Sequence, residues 1–195
     1  MNVAVYMGAH YGKNPNFRAK ANELGRWLAE NGHCLVYGGG SVGLMGEVAY
    51  EVLNAGGEVI GITPEFFITA EEIIMECTRL EIVPDVATRR SKMIEYGDAY
   101  IALPGGIGTL DEISECMALK MLGLFGDKNK PIIFYNVDGY YDKLISMVDA
   151  MVEEELYKKE DWEKVFFCRN IDDVAEALET AGDIDHTRNR KYSEE

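Results

Sequence analysis

The sequence predicts an α/β fold: one domain with a doubly wound, mostly parallel sheet of about seven strands flanked by helices. Three observations lead there. Short apolar runs alternate with segments of helical period along the whole chain. Runs such as "CLVY" (Cys34–Tyr37) and "YIAL" (Tyr100–Leu103) are almost wholly apolar, as strands covered by helices on both faces must be. Glycine-bearing loops follow three of the runs, where open α/β sheets place their ligands.

In order, the first strand is read at Val3–Met7 and its helix at Asn16–Asn31. The opening "MNVAVYMGAH" lacks a charged n-region and a cleavage site, so it reads as this strand and not as a signal peptide. Cys34–Tyr37 leads to a helix over Gly43–Ala55, and Glu58–Ile62 forms the third strand. Arg79–Val83 leads to the helix Asp85–Tyr96. Ala99–Leu103 leads to Thr109–Leu124, Pro131–Tyr135 to Tyr140–Glu155, and Val165–Cys168 to a last helix at Ile171–Thr180. Phe66–Cys77 mixes two phenylalanines and three isoleucines with three glutamates, and reads either as a surface excursion or as a partner surface. The domain is set at residues 1–181. The polar tail 182–195 is expected to fray.

A chain of 195 residues suits a single domain and buries roughly 70% of the surface it exposes when unfolded. The net charge of −15 repels a nucleic-acid backbone, so a DNA or RNA polymer is not expected as a partner. There is no apolar run of 18 residues, and hence no expected membrane span. Cys34, Cys77, Cys116 and Cys168 form no CxxC pair and read as reduced thiols of a cytoplasmic protein. With His10, His33 and His186 equally scattered, no metal site is expected.

The chemistry concentrates in the glycine loops: "MGAHYGKNP" with Gly8, "YGGGSVGLMGE" with Gly39, Gly40, Ser41 and Met45, and "PGGIGTLDE" with Gly105, Gly106, Gly108 and Thr109. Glycine permits positive φ and close approach of a ligand, and a following helix offers free N–H groups and a partial positive end. Together these suit an anion, most naturally a phosphate. Gly38-x-Gly40-x-x-Gly43, with Glu58 further on, also fits a dinucleotide motif, but that reading leaves "PGGIGT" unexplained. A Walker-type loop is excluded because Leu44 stands where its lysine belongs. Thr109 and Glu112 fit a capping box as well as a site, and the pattern alone leaves both open. Asp111 reads as a first-turn acid favoured by the helix dipole. Arg89, Arg90 and Lys92 crowd the helix that feeds the strand ending in this loop, and read either as a solvated face or as bases reaching the crevice.

"GGGSVGLMGEVA" and "PGGIGTLDE", with an arginine pair upstream of "SKM", resemble the Lonely Guy (LOG) family of cytokinin riboside 5′-monophosphate phosphoribohydrolases. The family pattern PGGxGTxxE is met by Pro104, Gly105, Gly106, Gly108, Thr109 and Glu112. "NVDGYYDKL" and "GKNP" add to the likeness, which covers roughly residues 2–170. Two departures stand out. Arg90 replaces a lysine, and Ala9–His10 stand where the family carries two serines. The resemblance implies a Rossmann-like fold, a homodimer, no organic cofactor, and hydrolysis of a purine nucleoside 5′-monophosphate to free base and ribose 5-phosphate. It implies that Arg89 and Glu112 are the catalytic pair, with substrate contacts from the loop residues named above and from Arg90. Such proteins are often mislabelled lysine decarboxylases; no motif marks the pyridoxal-binding lysine that decarboxylation would need.

Breaking a C1′–N bond builds an oxocarbenium-like sugar and negative charge on the departing base. A carboxylate can stabilise the sugar and activate water, and an arginine can support the opposite charge. A non-catalytic carrier of nucleotide or molybdenum cofactor resembles the same fold and glycine loops and is the alternative. Met45, Met93, Met117 and Met121 can line an apolar base pocket or serve as core, and Met117, Met121 and Leu122 can form a dimer face.

Overall fold

The computed structural model describes residues 1–68, 73–125 and 130–180. Seven strands form one sheet: β1 (Asn2–Tyr6), β2 (Cys34–Tyr37), β3 (Val59–Pro64), β4 (Arg79–Val83), β5 (Ala99–Ala102), β6 (Ile132–Tyr135) and β7 (Val165–Cys168). All neighbouring pairs are parallel, in the order β4-β3-β2-β1-β5-β6-β7. The order reverses between β1 and β5, which pair in the register Val5↔Ile101.

The helices are α1 (Pro15–Glu30), α2 (Gly43–Asn54), α3 (Val86–Tyr96), α4 (Ile107–Met121), α5 (Asp142–Glu153), α6 (Lys159–Trp162) and α7 (Ile171–Thr180). They divide by sheet face, and β1 shows the division residue by residue. Val3, Val5 and Met7 point into a core shared with Leu24 and Leu28 of α1, Val48 and Val52 of α2, and Val174 of α7. Ala4 and Tyr6 point the other way, to Met93 of α3, Ile113 and Cys116 of α4 and Val148 of α5. Buried on both faces, the strands need no polar alternation.

Several boundaries differ from the sequence reading. The helix expected over Tyr140–Glu155 is the shorter α5, Asp142–Glu153, and a 3₁₀ turn at Val137–Gly139 with Asp138 in a left-handed conformation (φ 51°) precedes it. The helix expected from Thr109 begins two residues earlier, with extended Gly106 as its N-cap. Phe66–Cys77 opens with a 3₁₀ turn, Glu65–Phe67, and Ile73 bridges to Gly40; positions 69–72 lie outside the described residues, as does the tail 182–195. No described helix is long and apolar enough to cross a membrane.

α1 and α2 approach closely at Gly25, where an added Cβ would stand 2.6 Å from the Val48 carbonyl oxygen and 2.9 Å from Glu51 Cβ. Gly25→Ala is therefore expected to destabilise by about 1–3 kcal/mol despite alanine's better helix propensity, read from the midpoint of chemical denaturation.

Candidate active site

The loops after β1, β2 and β5 converge above the point where the strand order reverses. They enclose a crevice of about 590 Å³ at the carboxyl ends of the strands. Gly8, His10 and Lys13 come from the first loop, Gly38 and Met45 from the second loop and its helix, and Gly105, Gly106 and Gly108 from the third. Phe67, Arg89, Met93, Thr109, Glu112 and Tyr140 complete its main walls.

The third loop is held by its carbonyls. Tyr141 Oη donates to the Leu103 oxygen (2.7 Å), Gly8 N–H to the Pro104 oxygen (3.1 Å) and Tyr140 Oη to the Gly105 oxygen (2.5 Å). The tyrosines are placed by a turn that the sequence spells as "NVDGYYD". Asn136 Oδ1 accepts from Tyr141 N–H, and Asn136 Nδ2 donates to Asp142. Asp138 takes hydrogen bonds from Asn14 and Asn16, tying this turn to the start of α1, where Asn14 is the N-cap and Pro15 the first residue. The β1 loop is pinned as well, Leu44 N–H donating to the Gly8 oxygen at the start of α2.

α4 begins without any side-chain cap, so its first N–H groups have no intrahelical or capping partner. Thr109 sits within the first turn, its hydroxyl packed where a Gly105 side chain would stand; glycine at 105 is thus a requirement of space. The capping box does not form. Glu112 Oε1 accepts from Arg89 Nη2 at 3.2 Å, joining α4 to α3, and their side chains are only 13% and 18% exposed. Burial raises the Glu112 carboxyl above its ordinary pKa, and the charges of Arg89 and Arg90 offset this only in part. Arg89 Nε is buried without an acceptor among the described residues.

The expected residues sort into two groups. Gly8, Met45, Arg89, Gly105, Gly106, Gly108, Thr109 and Glu112 line the crevice. Gly39, Gly40, Ser41 and Arg90 are not among its lining residues. Gly39 accepts from Ile74 N–H (3.2 Å) at φ +83°, and Gly40 bridges to Ile73, so this loop joins the excursion after β3. Ser41 carbonyl lies against Gly46 of α2. Arg90 turns to the flank of α4, with Nη1 on Asp111 (2.8 Å) and Nε on Glu115 (3.0 Å). Asp111 is thus an ion-pair partner at the fifth position of α4 and no first-turn acid. Sequence reasoning missed Phe67 and Tyr140. Phe67 stands just past the carboxyl end of β3, a position that the strand-end rule could have flagged. Tyr140 lies in the "NVDGYYDKL" stretch that adds to the family likeness, but nothing in that stretch points to its bond with a carbonyl 35 residues away.

The family model described as "Possible lysine decarboxylase" matches residues 45–178. The cytokinin riboside 5′-monophosphate phosphoribohydrolase LOG of Oryza sativa subsp. japonica is 40% identical over 152 residues, 78% of this chain and 62% of that protein. LOG3 of Arabidopsis thaliana, of the same name, is 40% identical over 78% of this chain and 69% of its own length. Three further rice relatives are matched over 60% to 65% of their length, so the chain spans less than two thirds of them. Among solved structures, the molybdenum cofactor carrier protein of Chlamydomonas reinhardtii superposes with a TM-score of 0.68 at 20% identity, covering 92% of this chain and 96% of that one; this likeness is one of fold. By the family match and these identities, the chain belongs to the possible lysine decarboxylase family and, within it, to the LOG family.

Proposed function

We propose that this chain hydrolyses the N-glycosidic bond of a purine nucleoside 5′-monophosphate, AMP or an N6-modified, cytokinin-type AMP, to free base and ribose 5-phosphate. One observation carries the reading. A half-buried carboxylate and arginine from two different helices meet at 3.2 Å in a crevice that also holds an uncapped helix start behind a bare glycine turn.

In this mechanism the start of α4, with Gly105, Gly106, Gly108 and Thr109, takes the 5′-phosphate. The energy of that contact orients the ribose. Glu112 faces the anomeric carbon and stabilises the oxocarbenium-like sugar. Water bonds to C1′ and gives a proton to the carboxylate, while the C1′–N bond electrons leave with the base, which takes up a proton. A carboxyl raised by burial is a stronger base than an exposed one, and the neighbouring arginines favour its ionised form. The Arg89 guanidinium supports the anionic charge.

The compartment and assembly belong to the same proposal. Four unpaired thiols suit a reducing, cytoplasmic setting. A homodimer is supported by the exposed apolar end of α4, where Met121, Leu122 (64% exposed) and Leu124 face solvent.

Three outcomes are expected. Incubation with AMP and N6-prenylated AMP releases free base and ribose 5-phosphate by product chromatography, the matching nucleosides are cleaved far more slowly, and Glu112→Gln and Arg89→Ala lose at least about a hundredfold in kcat/KM. Tight nucleotide binding without base release would replace the hydrolase with a carrier. In thermal unfolding, wild type loses stability relative to Glu112→Gln as pH rises from below the ordinary carboxylate range to neutral. A raised folded-state pKa makes the ionised Glu112 a cost above that pKa, and no such difference accrues while both folded and unfolded carboxyls are protonated. Leu122→Glu shifts light scattering from dimer to monomer mass; an unchanged mass removes this face from the interface.

A further inference from the structure

The glycines of the second loop were read from sequence as a phosphate or dinucleotide seat, yet only Gly38 of the Gly38–Gly40 run lines the crevice. Its surroundings give it another purpose. Gly38 does not occupy the left-handed region, so its own backbone does not ask for glycine. What asks for it is Arg89: a Cβ on Gly38 would stand 3.3 Å from Arg89 Nη1 and 3.7 Å from Cζ. The guanidinium also lies over the ring of Phe67, 5.8 Å from its centroid. Among the described residues the polar anchoring of Arg89 is sparse: Nη2 meets Glu112, and Nε is buried without an acceptor.

We infer that Gly38 and Phe67 form a slot that fixes the Arg89 guanidinium against Glu112, and that both are positioning residues for this pair. The fit follows from the chemistry. A guanidinium is planar and weakly hydrated, so an aromatic face and a bare peptide can hold it where a second carboxylate would cancel its charge. Phe67 ends the 3₁₀ turn that opens the segment after β3, so the slot also gives this excursion a task at the site. The consequence for catalysis rests on the hydrolase reading; the slot itself does not.

The test reads the pair without turnover. The carboxyl of Glu112 is followed by 13C NMR in a protein labelled at glutamate, assigned by its loss in Glu112→Gln, and titrated in wild type, Phe67→Leu, Phe67→Tyr and Gly38→Ala. The groups acting on it are Arg89 and Arg90 from α3, Asp111 and Cys116 on its own helix, and Tyr6 from β1. Of these, the slot governs Arg89 alone. Phe67→Leu and Gly38→Ala are expected to raise the midpoint by roughly half a unit, as the guanidinium drifts from the carboxylate, while Phe67→Tyr keeps it. A midpoint unmoved in either Phe67→Leu or Gly38→Ala removes that residue from the slot, and one that rises equally in Phe67→Tyr shows that the ring face is not what holds the arginine. Absence of base release by the wild-type protein would defeat the hydrolase reading and leave the titration result standing.

Discussion

The reversal of strand order between β1 and β5 is the constraint on which the site depends. Parallel strands are joined by right-handed crossovers, so a chain that winds one way from β1 and returns to wind the other way must change sheet faces. α1 and α2 cover one face. The return from β4 to β5 carries α3 to the other, where α4 follows. Each helix runs back from a strand's carboxyl end, so α3 and α4 both begin beside the crevice. Arg89 and Glu112 lie near those beginnings. Their meeting is a product of handedness first and of side-chain chemistry second.

That geometry would be idle if the loop between β5 and α4 could wander. Its carbonyls at Leu103, Pro104 and Gly105 are each taken by a donor from another part of the chain. Glycine leaves a loop flexible in isolation, and here external hydrogen bonds remove the freedom that glycine supplied. The division of labour is economical. Glycine provides closeness, and distant side chains provide rigidity.

What could be read from the sequence follows the range of each interaction. The strands, the parallel class and the PGGIGT turn were legible, because burial on both faces and backbone bareness are written in consecutive residues. Helix starts were less so. "TLDE" spells a capping box, but extended Gly106 begins α4 earlier and Arg89 competes for Glu112 from 23 residues away. The second glycine loop was legible as glycine and illegible as purpose. Gly39 and Gly40 serve contacts with the excursion after β3, and Gly38 leaves room for Arg89, more than forty residues further on. Tyr140 is the extreme case, since nothing beside it in sequence announces a bond to Gly105.

That bond has a consequence for the sign of the crevice. A peptide unit is a dipole whose carbonyl and N–H point in opposite directions. While the Tyr140 hydroxyl holds the Gly105 oxygen, the Gly106 N–H of the same peptide is turned the other way. Rotation of that one peptide would give up the Tyr140 bond and swap the two poles. In a protein with a net charge of −15, the sign that this part of the loop presents thus turns on the orientation of a single amide.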